Sequence, residues 1–129
     1  MDREFQRRLD GGSMTSTISR IAELNDRVRL GLDRNARIVM TATCLATLAG
    51  GDRIVSEAVA QAAVLAAVRR YEFKPDDGPE RNYGQFELEG HIVCFRIDYY
   101  DPSLEWGSED PADAAVTVRV LTIMLPCDD

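Results

Sequence analysis

Gln85 to Tyr100, QFELEGHIVCFRIDYY, decides the fold. Phe86 and Leu88 alternate with Gln85, Glu87 and Glu89, the period of a strand that buries one face. Glu89-Gly90 supplies a two-residue turn. His91 to Tyr100 alternates again, with Val93, Phe95, Ile97 and Tyr99 on one side and Ile92, Cys94, Arg96, Asp98 and Tyr100 on the other. Two such strands about so tight a turn form an antiparallel hairpin. Thr117 to Leu125 reads as a further strand, so this end of the chain builds a sheet.

Toward the N-terminus the period changes. Ile18, Ile21, Leu24, Val28 and Leu32 recur at three- and four-residue steps and predict a helix over Thr17–Leu32. Ile38 to Leu45, rich in β-branched residues, predicts a strand. Asp52 offers an N-cap for a second helix, Arg53–Tyr71. That helix is apolar almost all round, and Ala58, Ala62 and Ala66 form a smooth ridge suited to close packing or to a homodimer contact. Lys74 to Asn82 is turn-rich. The order α-β-α-β-β-β predicts an α+β fold, an antiparallel four-stranded sheet with two helices packed on one face. Residues 1–13, charged and ending in Gly-Gly-Ser, read as a flexible N-terminal extension, and 14–129 as a single α+β domain.

The formal charge is −7, and it is unevenly spread. Residues 1–40 hold eight Arg against six Asp and Glu, whereas the remainder holds seven basic residues against sixteen acidic ones. Such a balance excludes binding to nucleic acid through phosphate neutralisation. Cys44, Cys94 and Cys127 are odd in number and form no C-x-x-C pair, which fits free thiols in a cytoplasmic protein. The longest apolar run, Ala62 to Val68, is too short to span a bilayer. Gly11-Gly12 and Gly50-Gly51 lack the Lys and the spacing of a phosphate loop, so no cofactor is expected.

The acidic loop between the last two strands is the main functional candidate. Asp98, Asp101, Glu105, Glu109, Asp110 and Asp113 occur with no Lys or Arg before Val118, and the loop carries Trp106, the only tryptophan. Unneutralised carboxylates of this density suit a solvated loop, a cation site or a surface that meets a basic partner. Asp101-Pro102, Gly107-Ser108 and Asp110-Pro111 are also turn formers, with Asp and Ser bonding nearby amides. Asp98, Asp101 and Glu109 are the carboxylates a magnesium or calcium ion would take, although their spacing matches no EF-hand. Trp106 reads either as a plug over the sheet edge or as an interface anchor within an acid rim. Arg96, Asp98, Tyr100 and Arg119 form the one polar constellation on the strands. His91, the only histidine, opens a strand beside a turn and suits a surface position. No catalytic residue is assigned.

Ile97-Asp98-Tyr99-Tyr100-Asp101, Gly107-Ser108-Glu109-Asp110-Pro111-Ala112-Asp113 and Arg119-Val120-Leu121-Thr122-Ile123-Met124-Leu125, with Ile21 to Asp26 and Val39 to Ala42 upstream, resemble the bacterial domain-of-unknown-function family numbered 3768. The resemblance covers about Met14 to Leu125. It implies a small bacterial protein often carried on plasmids and integrated elements, and it brings no mechanism. Members tend to carry Glu-His-Asp-Phe-Gly where this chain has Glu80-Arg81-Asn82-Tyr83-Gly84, a segment read as a strand entry with a structural aromatic and glycine. The leading expectation is a non-enzymatic interaction protein whose acidic face, with Asp76, Asp77 and Glu80 alongside the loop, docks on a basic surface. Its concrete form is an anti-CRISPR or anti-restriction inhibitor that occupies a nucleic-acid channel by charge mimicry. The alternatives are a metal-dependent hydrolase or nuclease using Asp98, Asp101 and Glu109, and a homo-oligomeric regulatory module built on the alanine-rich helix.

Overall fold

A computed structural model of the chain describes residues 13–50 and 54–129. In chain order the elements are α1 (Ser13–Arg29), β1 (Arg37–Met40), α2 (Ala42–Ala49), α3 (Ile54–Arg70), β2 (Tyr83–Leu88), β3 (His91–Tyr100) and β4 (Val118–Met124). The extension expected over residues 1–13 lies outside the described residues apart from Ser13, and so does the Asp52 cap.

The hairpin forms as its alternation predicts. β2 and β3 pair antiparallel with Leu88 opposite His91, and Glu89 and Gly90 both take positive φ (50° and 84°), the backbone a tight two-residue turn needs. β3 and β4 pair antiparallel over Cys94–Tyr100.

The expected all-antiparallel sheet is corrected at β1. The strand order is β1-β4-β3-β2, and β1 runs parallel to β4, with Arg37 opposite Val120 and Met40 opposite Ile123. The sheet is therefore mixed. α2 and α3 carry the chain from β1 at one edge to β2 at the other, in the same direction, and the later hairpin strands fill the gap. One helical crossover is enough for one parallel pair.

The helix count is corrected too. The apolar run read as a strand to Leu45 ends at Met40, because Thr41 caps a third helix. Thr41 is extended (φ −66°, ψ 149°) and its Oγ1 accepts from Cys44 N at 3.2 Å. Asp128, in the turn after β4, accepts from the Thr41 and Thr43 hydroxyls at 2.8 and 2.7 Å and from Leu125 N at 3.0 Å. These bonds hold its carboxyl below the ordinary carboxylate range, the Thr43 and Thr41 hydroxyls first. α1 starts earlier and stops earlier than its periodicity predicts. Gly31, at φ 78°, ends the helical path, and Leu32 is left exposed.

The core lies on one face of the sheet. Val28 of α1, Cys44 of α2 and Val64 and Val68 of α3 meet Val93, Phe95, Ile97, Leu121 and Ile123. Burial pushes the Cys44 thiol up to about 11, with Asp128 and Cys94 adding to the effect. Arg29 closes α3: its Nη1 donates to the Val68 and Arg69 carbonyls at 3.2 and 3.0 Å, satisfying orphan C=O groups at that helix end. α3 buries Ala60, Val64 and Val68, whereas Ala58 and Ala62 of the alanine ridge face solvent. No helix among the described residues is long and apolar enough to cross a membrane.

Gly84 marks the tightest place. A Cβ there would lie 2.6 Å from both the Phe95 and Tyr71 rings, which stack edge to face at 5.4 Å. Gly84→Ala is expected to destabilise the protein by about 1–3 kcal/mol through overpacking, read as a lower urea midpoint at unchanged slope. A second outcome concerns acid. The depressed Asp128 carboxyl stabilises the fold above its unfolded pKa and loses that contribution as pH falls through its folded value. Asp128→Asn should therefore lower Tm at pH 7, and the deficit should shrink as pH falls through the folded value of Asp128, checked by thermal scans at descending pH.

Candidate functional site

The acidic loop is two structures in succession. First, the chain leaves β3 and folds back: Asp101 N donates to Trp106 O at 2.8 Å and Ser108 N to Tyr99 O at 3.0 Å, with Leu104 at φ 64° in the turn. Ile97 N bonds Asn82 O, just ahead of β2, so the odd-numbered main-chain groups of β3 face the β2 side. The limb 106–108 therefore continues the sheet where β2 has not yet begun. Second, residues 109–117 cross back to β4. Ser108 Oγ and Thr117 Oγ1 sit 2.7 Å apart, and Thr117 Oγ1 donates to Asp110 O, closing the neck of the loop.

Three of the six carboxylates are turn formers. Asp101 Oδ1 accepts from Ser103 Oγ at 2.8 Å and from the main-chain N–H of Glu105 and Trp106 at 3.2 and 3.4 Å. The Ser103 hydrogen bond, then these amides, hold its carboxyl below the usual range. Asp110 accepts from Ala112 N, and Asp113 caps the short 3-10 turn Ala114–Val116 by accepting from Ala115 N at 2.9 Å. Asp98 is ion-paired with Arg96 at 3.1 Å on the sheet face away from the helices. Glu105 and Glu109 are exposed, and among the described residues no hydrogen bond or ion pair ties down their carboxylates. Asp98, Asp101 and Glu109 do not converge. Among the described residues no group of three or more His, Cys, Asp or Glu comes together in a way that could hold a metal ion.

Trp106 is not a plug. It is 71% exposed and walls a cleft of about 350 Å³ with Asp101, Pro102, Glu109, Asp110 and Val116. The cleft joins one large aromatic face to a rim of carboxylates, which suits a cationic side chain laid over the indole.

The constellation of Arg96, Asp98, Tyr100 and Arg119 is split by the pleat. Arg96, Asp98 and Tyr100 share the open face, where Arg96 also bonds Asp129. Arg119 points to the helix side and is 2% exposed. Its Nε donates to Asn25 Oδ1 at 2.7 Å, an Nη donates to Pro111 O, and its guanidinium lies 5.0 Å from the Tyr99 ring centroid. Asn25 Nδ2 in turn donates to Tyr99 Oη at 2.9 Å and Glu80 O at 3.0 Å, and Tyr99 Oη donates to Glu80 Oε1 at 2.8 Å. Burial is the first cause that pushes the Tyr99 hydroxyl well above its ordinary value. This buried network anchors the loop to α1. Sequence reasoning missed Asn25, Tyr99 and Glu80 as its members; the available signal was a polar Asn25 on the otherwise apolar stripe of α1.

The remaining candidates are placed as follows. Glu80 faces inward, and Asp77 accepts from Tyr71 Oη and Lys74 N, so neither joins the acidic face. His91 is exposed at the hairpin. Among the thiols, Cys44 and Cys94 are buried and Cys127 is exposed, all free.

The family model described as "Protein of unknown function (DUF3768)" matches residues 45–128, about two thirds of the chain. The chain belongs to that family. The DUF3768 match spans the end of α2 through the C-terminal turn, including the hairpin, the acidic loop and β4; α1 and β1 precede it. No curated protein and no solved structure matches the chain. Within the DUF3768 span, Glu80 to Gly84 serves packing here: Glu80 holds Tyr99, Asn82 pairs with β3, and Gly84 admits Phe95.

Asn25→Leu should cost about 1–3 kcal/mol, because the Arg119 Nε and the Tyr99 hydroxyl then lose a buried partner. Urea unfolding measures that loss. In the parent protein, Trp106 emission should be that of a solvated indole and fully open to acrylamide quenching.

Proposed function

We propose that this chain is a non-enzymatic acidic interaction protein that docks on a basic, nucleic-acid-binding protein surface through the Trp106 cleft. One observation carries the reading. The only indole in the chain stands 71% exposed at the mouth of a cleft lined by Asp101, Glu109 and Asp110. A large exposed aromatic normally costs solubility and recurs as an interface anchor, where Trp and Arg lead the residues that carry binding energy. An arginine of the partner would stack on the indole while its donors meet the carboxylates, and neighbouring basic residues would meet Glu105 and Asp113.

The turn bonds of Asp101, Asp110 and Asp113 support the reading. They use one oxygen of each carboxylate and fix the loop before any partner arrives, which lowers the ordering cost of association. A charged rim of this kind also speeds encounter with an oppositely charged surface. The inhibitor of a defence nuclease or effector complex is the concrete form of such a protein, since those complexes hold nucleic acid in basic channels.

The test is titration of an arginine-rich peptide, followed by Trp106 fluorescence. Binding should weaken steeply between about 50 and 300 mM salt. Trp106→Ala should cost about 2 kcal/mol, near 30-fold in Kd. Charge reversal at Glu109, Asp110 and Asp113 should abolish the salt dependence. Unchanged affinity of that triple variant at low salt would show that the loop is not the docking surface.

A further inference from the structure

Six of the eight large apolar side chains exposed among the described residues fall into two groups. One is Trp106 with Val116, inside the acid rim. The other is Leu30, Leu32, Ile38 and Val39, between 44% and 54% exposed, along β1 and the loop that leads into it, with Ile38 on the helix side of the strand and Val39 on the open side. The same segment also carries two cations, Arg37 on the open side of the strand and Arg34 in the loop before it. Arg34 and Arg37 are exposed, and among the described residues neither belongs to an ion pair.

β1 is also an edge strand with a free side. Thr41 N donates to Ile123 O at 2.9 Å, which turns the main-chain groups of the odd-numbered residues toward β4. Those of Ile38 and Met40 face outward, and no partner meets them among the described residues. Natural proteins blunt such edges or cover them. The two patches lie on opposite sides of the sheet. The Trp106 limb bonds β3 on its β2 side, whereas the β1 edge lies beyond β4. They cannot meet within one copy.

From the complementary charge and apolar content of these two patches we infer that the β1 edge of one molecule takes the Trp106 loop of a second copy, head to tail. Ile38, with Leu30 and Leu32 ahead of the strand, would receive the indole and Val116, while Arg34 in the loop and Arg37 on the other side of the same strand would reach Glu105 and Glu109 around the edge. The contact is heterologous, so it leaves one free patch of each kind and extends to further copies. It rests on the proposed docking role of the loop and adds a regulation: self-association hides Trp106 from any other basic partner, so the docking-competent form is the dilute one.

Two variants separate the halves of the contact. Arg37→Glu with Ile38→Glu removes the edge; Trp106→Ala with Glu109→Arg removes the loop. All four positions are exposed, and urea unfolding of each variant checks that the fold is kept. Sedimentation at about 50 mM salt should show the parent growing in mass with concentration up to ~1 mM, and a blue-shifted Trp106 emission should accompany the growth. Each variant alone should stay monomeric. Their mixture should form a dimer and no larger species, because one intact edge meets one intact loop. A monomeric parent, an inert mixture, or either variant associating by itself would overturn the inference. The arginine-peptide titration keeps the two readings apart: a parent that stays monomeric yet binds the peptide loses only the head-to-tail contact, and one that does neither loses the docking role as well.

Discussion

Everything at the acidic-loop end of the molecule hangs on where one guanidinium goes. Arg119 opens the buried face of the last strand, which Leu121 and Ile123 continue with hydrocarbon. A buried cation without donors' partners would cost several kcal/mol. Here it has an amide oxygen from α1, a carbonyl from the loop and an aromatic face from β3. Among the described residues no carboxylate pairs with it within ion-pair distance. The charge is thus held by dipoles, and those dipoles come from three parts of the chain. That geometry fixes the crossing segment at Pro111 and leaves the Trp106 limb pointing away from the core.

The mixed sheet follows from a similar economy. An antiparallel meander would leave the two apolar helices after β1 with no route back to the sheet face. Carrying them across that face as a crossover buries Cys44, Val64 and Val68 against Phe95 and Leu121, and it delivers β2 to the far edge. The arrangement leaves the opposite face of the sheet to Arg96, Asp98 and Tyr100, with Cys94 and Met124 buried at its other end.

Elements governed by local chemistry were legible in the sequence. The 89–90 turn, the alternation of β3 and the body of α3 all follow from residues close together in the chain. What failed needed information from a distance. The strand-like composition of Thr41 to Leu45 predicts five further residues of β1, whereas the cap that starts α2 there is completed by Asp128, distant in sequence. The parallel pairing of β1 is likewise a choice between edges that periodicity does not encode. At the site, the loop and its carboxylates were identifiable from charge alone. Which of them are tied to main-chain amides and which stay open depends on the path of the loop, and that path is anchored where Arg119 meets Asn25 and Pro111. Those two residues, grouped with others or overlooked in sequence, are distant in the chain and adjacent in space.

The partnership of β1 with β4 has a bearing on how the molecule is made. A strand at residues 37–40 finds its neighbour at residues 120–123, and the Thr41–Asp128 clasp seals the same junction. Closing so wide a loop is entropically slow and comes late. During translation the nascent β1 must wait, unpaired on both sides, until β4 has left the ribosome. Until then the segment from Leu30 to Val39 lacks its one strand partner, with its hydrocarbon and its two arginines in water.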